Sequence, residues 1–176
     1  MAFDEVFSLP NLVALFGAGA TRNPVRPFAR HFASRLRACL AAGPARGNHF
    51  LSQVLADRDP PGGGADWLQF PPTRATQVIW QRATMDEALA CAEGGWHLIH
   101  VSNILDWLDP DSASRTLDLA ARALAVDGRL IIRQLNSSLD IPALAPGLVW
   151  DAGLAARLHA GDRSFFYSGL HVGGRR

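Results

Sequence analysis

The sequence contains no lysine, and its 17 basic side chains are all arginine. This absence excludes mechanisms that need a lysine amine, such as Schiff-base formation or phosphate binding by a P-loop lysine. The formal net charge is only +1, which argues against a strongly basic nucleic-acid-binding domain. The longest apolar runs fall short of the ~18 residues of a membrane span. We therefore expect no nucleic-acid partner and at most peripheral contact with a membrane.

Cysteine is also scarce. Cys39 and Cys91 form neither a CxxC motif nor a zinc-ligand spacing, and both are flanked by apolar residues. We expect buried free thiols, which are typical of the reducing cytoplasm. His97 and His100 lie on an expected strand, where their side chains point to opposite faces. We therefore expect no metal site.

The length and the hydrophobic content of the chain are sufficient for one hydrophobic core. The chain has 176 residues, 48% of them hydrophobic, which fits a single domain and excludes wholesale disorder. Residues 58–75 contain four prolines and three consecutive glycines, a composition typical of a loop. This loop separates a helical segment, residues 1–57, from an α/β half, residues 76–176. In the helical segment, Gly17-Ala18-Gly19 is better interpreted as a helix C-cap than as a nucleotide-binding loop, because no strand precedes it.

The second half alternates strands with helices. Apolar runs predict strands at 77–80, 96–101 and 130–132, and residues 164–172 predict a last antiparallel strand at the sheet edge. Asp109-Pro110 predicts the start of a helix, which should end at Asp127-Gly128 with a glycine C-cap. Strand, helix and strand at this spacing indicate a right-handed βαβ unit. Short helices are also expected at 86–91 and 151–159.

Polar loops follow two of the expected parallel strands. One contains Ser102, Asn103 and Asp106, and the other contains Asn136. Ligands of open α/β sheets bind beyond the carboxyl ends of the strands, so these amides and this carboxylate are candidates for holding an amino-acid-like group. The alternative is structural: Ser102 and Asn103 shape the turn, and Asp106 caps a neighbouring segment.

Three segments resemble, in order, a known enzyme family. Residues 11–17 (NLVALFG), with Ala20-Thr21 and Pro27-Phe28, are similar to its NLxALFG…AT…PF segment. Residues 97–142 resemble its C-terminal half, and residues 162–167 (DRSFFY) resemble its closing DRxFFY segment. The family comprises the S-adenosylmethionine:diacylglycerol 3-amino-3-carboxypropyltransferases of betaine-lipid synthesis and related bacterial proteins.

The resemblance implies a Rossmann-like class I methyltransferase sheet that uses S-adenosylmethionine. It also implies transfer of the 3-amino-3-carboxypropyl group to a lipid or other small hydroxyl acceptor, with release of methylthioadenosine. In the family the glycine-rich cofactor-binding strands lie upstream of NLxALFG, where this chain begins. The sheet and the cofactor site are therefore expected to be incomplete. We expect either self-association or a partner that supplies the missing half.

Carried over by position, the resemblance suggests catalytic roles for Asp106, Asn103 and Tyr167, with Asp106 as the base for the acceptor hydroxyl. Cofactor-binding residues are then Ser102, Asn103, Met85, Asp86, Asn136 and Arg163. Met85 and Asp86 match a segment beside adenine, although the family's usual Gly-Asp is absent there.

Two other functions remain open. The chain could be a non-catalytic Rossmann-like interaction domain, or a relative of small-molecule S-adenosylmethionine-dependent methyltransferases. In each case we expect a cytoplasmic protein, and a lipid acceptor would bring it to the inner face of the membrane. The nature of the product, methylthioadenosine or S-adenosylhomocysteine, separates the two transfer reactions.

Overall fold

The structure is a computed structural model that describes residues 2–43, 45–59, 70, 77–92 and 95–175. The expected Pro/Gly-rich loop at 58–75 lies almost entirely outside the described residues. Within them, the fold is mixed α/β, with one four-stranded mixed sheet and several helices. No described helix combines the length and apolar character needed to cross a bilayer.

The sheet consists of β1 (Trp96–His100), β2 (Leu124–Gln134), β3 (Val149–Trp150) and β4 (Gly169–Gly174). The spatial order is β1-β2-β4-β3, with β1 parallel to β2 and β4 antiparallel to both of its neighbours. The predicted direction of the last strand is confirmed, but its predicted place at the edge is wrong. The short strand β3 pairs with β4 and therefore leaves β4 inside the sheet.

One face of the sheet is covered by helices α5 (Met85–Ala90) and α6 (Pro110–Ala123). Leu117 of α6 belongs to the same buried cluster as Ile99, Leu130 and Ile132, all at most 3% exposed. Alternation along each strand sends these side chains to one face. The predicted start of α6 is confirmed: the Asp109 carboxylate accepts a hydrogen bond from the Ser112 amide at 2.9 Å.

Three further expectations are wrong. Helix α6 ends at Ala123 and β2 begins at once, so Gly128 is a buried strand residue and not a C-cap. Residues 77–80 form no strand, and the Trp80 side chain is 92% exposed. Their β-prone composition is not matched by pairing with any described strand. Cys91 is exposed, although its apolar neighbours favoured a buried thiol.

The helical segment contains α1 (Ala2–Val6), α2 (Leu9–Phe16), α3 (Phe28–Ala42) and α4 (His49–Ala56). The interpretation of Gly17 as a helix cap is confirmed: its φ is 78°, and its amide bonds to the Val13 carbonyl. Helices α7 (Ile141–Leu144) and α8 (Ala152–Ala160) complete the fold, and α8 packs against β4 on the face opposite α6.

Candidate functional site

The loops that follow β1 and β2 meet at one end of the sheet. The Arg133 amide donates a hydrogen bond to the Ser102 carbonyl at 2.9 Å, which extends the parallel pairing to the start of the first loop. Ser102 has a φ of 50°, so the chain turns there, and its hydroxyl contacts the Asn103 side chain at 3.4 Å. Asn103 then precedes a 3₁₀ turn, Ile104–Trp107, that carries Asp106. The structure thus brings Ser102, Asn103 and Asp106 together at the strand ends.

Asp106 joins the two loops. Its Oδ2 atom accepts a hydrogen bond from the Leu135 amide at 2.6 Å. Burial raises the pKa of the Asp106 carboxyl to about 6, although hydrogen bonds from Leu135, Asn136 and Ser137 oppose the shift. A carboxyl group with such a pKa can exchange a proton near neutral pH.

Asn136 is also in this region, but the protein uses its polar groups internally. The side chain is 3% exposed and donates to the Arg26 carbonyl at 2.7 Å, while the Asn136 carbonyl accepts from the Val25 amide at 2.8 Å. The Ser138 amide in turn bonds to the Asn23 carbonyl at 2.7 Å. Residues 22–26 therefore lie across the loop after β2 and cover it.

Met85 and Asp86 lie elsewhere, on α5, which packs against helix α6. The Asp86 carboxylate accepts hydrogen bonds from Thr116 Oγ1 at 2.6 Å and Arg115 Nε at 3.0 Å. Met85 packs against the apolar core. These contacts attach α5 to α6, and the structure does not bring either residue to the strand ends.

Arg163 and Tyr167 lie on the face of the sheet opposite α6. A groove of about 550 Å³ opens on this face between α4, α8 and the strands. We call it the sheet-face groove. Its lining residues are Phe50, Leu98, His100, Ile131, Arg133, Leu158, Gly161, Asp162, Arg163 and Leu170. Tyr167 adjoins it through its ring, whose centroid is 5.0 Å from the Arg133 guanidinium carbon.

Arg133 is the residue that sequence reasoning missed. Its Nε lies 3.5 Å from Asp162 Oδ2, and the Asp162 side chain is only 9% exposed. The pKa of His100 is lowered, first by burial and then by the positive charge of Arg133. Alternation along β2 was the available signal, because Arg133 falls on the face opposite the buried Leu130 and Ile132.

The described residues offer only part of what a nucleotide-like cofactor needs. They contain no group of three or more His, Cys, Asp or Glu side chains placed to hold a metal ion. The four described strands include none that leads through a glycine-rich loop into a helix, the element that cradles the cofactor in Rossmann-like sites.

Comparisons with protein-family models, curated proteins and solved structures found no match to the chain.

Proposed function

We propose that this chain is the second half of an S-adenosylmethionine-dependent 3-amino-3-carboxypropyltransferase. The observation that supports this proposal is the order and direction of the strands. In a class I methyltransferase sheet, the seventh strand runs antiparallel between the fifth and the sixth. The order β1-β2-β4-β3, with only β4 reversed, corresponds to strands four, five, seven and six of that sheet. Helix α8, between β3 and β4, is an addition to the pattern.

The outer edge of β1 supports the need for a second half. In the class I order the first strand lies beside the fourth, which corresponds to β1. In the described part of the chain, β1 pairs only with β2, and its Leu98 side chain is 59% exposed. A parallel strand is normally paired and covered on both faces. The proposed second half would add the cofactor-binding strands there.

Asp106 supports a transfer to a hydroxyl group. S-adenosylmethionine, if bound, would supply a carbon made electrophilic by its sulfonium, with methylthioadenosine as the leaving group for an attacking acceptor oxygen. The hydroxyl proton passes to the Asp106 carboxylate, whose raised pKa suits a general base near neutral pH. The neighbouring Asn103 amide would orient the acceptor.

An apolar surface beside this site supports a lipid acceptor. Helix α2 exposes four large apolar side chains: Leu9, Val13, Leu15 and Phe16. Phe16 lies edge-on to Trp107 at a centroid distance of 5.7 Å, next to Asp106 in the chain. Three exposed arginines, Arg26, Arg30 and Arg37, line a neighbouring hollow. Apolar groups flanked by arginines favour the surface of an anionic bilayer, which fits a cytoplasmic enzyme at the inner membrane face.

A second candidate, a non-catalytic Rossmann-like interaction domain, is favoured by the bonding of Asn136 and Asp106. The structure uses both side chains to fix the strand-end loops. A relative of small-molecule methyltransferases is the remaining alternative and predicts a different product.

One experiment separates these functions. The chain is mixed with a protein that carries the missing glycine-rich strands, together with S-adenosylmethionine and diacylglycerol vesicles. The proposed transferase releases methylthioadenosine, and a methyltransferase releases S-adenosylhomocysteine. Asp106→Asn should bind the cofactor as the wild type does and lose ~10²–10⁴-fold in single-turnover rate. An Asp106→Asn variant of unchanged rate would favour the structural role, and absence of both products would favour the interaction domain.

A further inference from the structure

The sheet-face groove has the composition of a small-molecule site. Its volume of about 550 Å³ falls within the ~300–1,000 Å³ of such sites. Five of its lining side chains are apolar: Phe50, Leu98, Ile131, Leu158 and Leu170. Its ionisable groups include Arg133 and Asp162, which lie close together. Apolar walls with a few convergent polar groups are the usual pattern for ligand binding.

The Arg133 side chain is held in place in this groove. Its Nε faces Asp162 Oδ2 at 3.5 Å, and its guanidinium carbon lies over the Tyr167 ring. The Asp162 Oδ1 atom accepts a hydrogen bond from the Ser164 amide at 2.9 Å, so the carboxylate is fixed as well. Asp162 contacts the Nε edge of the guanidinium and the Tyr167 ring contacts one of its faces. The guanidinium is therefore already oriented for a ligand that binds its two Nη groups.

Two atoms of this arrangement lack hydrogen bonds. Arg133 Nε and Asp162 Oδ2 are both buried, and neither has a hydrogen-bond partner in the described part of the chain. These two atoms face each other in the 3.5 Å ion pair, so the bonding capacity left for a ligand is that of the guanidinium Nη groups, which donate to oxygen atoms.

The charges of the groove lining indicate the sign of the ligand's charge. Arg133 and Arg163 contribute two positive charges to the groove lining, and Asp162 contributes one negative charge. His100 adds none near neutral pH, because burial and Arg133 lower its pKa. One positive charge is thus left uncompensated beside the apolar walls.

We infer that the sheet-face groove binds a carboxylate with an apolar chain, and that Arg133 is the residue that holds the carboxylate. The planar guanidinium matches the two oxygens of a carboxylate. The chain of the ligand would lie along Leu98, Ile131 and Leu158. This inference does not rest on the proposed transferase activity. The shared chemistry has two sources: a fatty acid, or an amino acid whose ammonium group would meet Asp162.

Calorimetric titration of the purified chain tests the inference with three probes: octanoate, 1-octanol and L-methionine. Octanoate should bind with one site and at least about tenfold more tightly than 1-octanol, because only octanoate can bond to Arg133. Binding of L-methionine without octanoate would assign the site to amino-acid carboxylates. If neither octanoate nor L-methionine binds, or if octanoate binds but no more tightly than the alcohol, the inference is wrong.

Matched variants test whether the ligand binds in the sheet-face groove. Arg133→Gln should weaken binding of the carboxylate roughly 10- to 100-fold. Arg129→Gln removes the same charge from the same strand, outside the groove lining, and should leave the affinity within about twofold. Leu98→Trp fills part of the groove and leaves Arg133 unsubstituted, and it remains informative if Arg133→Gln does not fold. Unchanged binding in a folded Arg133→Gln or Leu98→Trp variant would overturn the inference. The assay needs no transfer reaction, so its failure is distinguishable from failure of the proposed function.

Discussion

The carboxyl group of Asp106 is bonded to the backbone of Leu135, with 2.6 Å between Oδ2 and the amide nitrogen. The loop after β1 is thus fastened to the loop after β2 by an ionisable group. Because burial raises the pKa of this carboxyl to about 6, the connection is sensitive to pH in the range where a general base operates.

The free energy of unfolding should depend on pH through Asp106. The folded protein holds the Asp106 proton up to about pH 6, whereas the unfolded chain releases it near its ordinary pKa of 3.8. The free energy of unfolding therefore falls as pH rises from about 4 to about 6, by up to about 3 kcal/mol from this group. Asp106→Asn removes this contribution and retains an oxygen for the Leu135 amide.

Urea unfolding of both proteins at several pH values checks this expectation. The stability of Asp106→Asn relative to the wild type should increase between about pH 4 and pH 6 and then remain constant. A stability difference that is independent of pH would show that the Asp106 pKa is not raised.

Asp86 should matter for stability. Asp86→Ala leaves the Thr116 hydroxyl, on a residue only 2% exposed, without its acceptor and breaks the contact with Arg115. We expect a loss of about 1–3 kcal/mol in the free energy of unfolding. Asp118→Ala removes an exposed carboxylate from α6, the helix that carries Thr116 and Arg115, and should change stability by less than about 0.5 kcal/mol. Equal effects of the two substitutions in urea unfolding would contradict the assignment.

Gly128 should tolerate no side chain. A Cβ there would lie 2.7 Å from the Trp96 carbonyl oxygen and 2.9 Å from that of Ala125, so β1 and β2 would have to separate. We expect Gly128→Ala to cost about 1–3 kcal/mol of stability. Gly147→Ala is the control, because a Cβ at that position meets nothing within 4 Å. Thermal unfolding should show a lower Tm for the first variant alone.

The edge of β1, which no described strand pairs with, should cause association. Light scattering of the purified chain should show dimers or larger species at high concentration, because exposed apolar strand edges pair with other chains. Leu98→Lys places a charge on this edge and should shift the population toward monomer, whereas Val126→Lys, at another exposed apolar position, should not. A wild-type protein that is monomeric at all concentrations would contradict this expectation.

Local patterns in the sequence predicted several elements well. The start of α6 follows from Asp109 and Pro110, because the cap needs only nearest neighbours. The apolar runs near Ile99 and Ile131 correctly indicated adjacent parallel strands. The interior position of β4 was not predictable in this way, because it depends on β3, a two-residue strand without a local signal.

In the candidate site, too, contacts between residues close in sequence were predictable and long-range contacts were not. Ser102, Asn103 and Asp106 follow one strand in sequence, so their proximity was predictable, while their roles stay predictions. Arg133 and Asp162 come together only because β2 and the segment before β4 meet in the folded sheet. No spacing in the sequence indicates the contact between Arg133 and Asp162. Long-range pairs of this kind need the topology before they can be identified.

The interior position of β4 determines the order in which the strands can pair during folding. Residues 169–174 leave the ribosome after both strands to which they pair, β2 and β3. Until then a nascent chain presents β2 with a bare edge, and contacts between such distant segments form slowly. A proteolytic cut before Gly169 would likewise remove the middle of the sheet and leave β3 without a partner. The interval before β4 docks is thus a stage at which the chain exposes an unpaired strand that can pair with other chains.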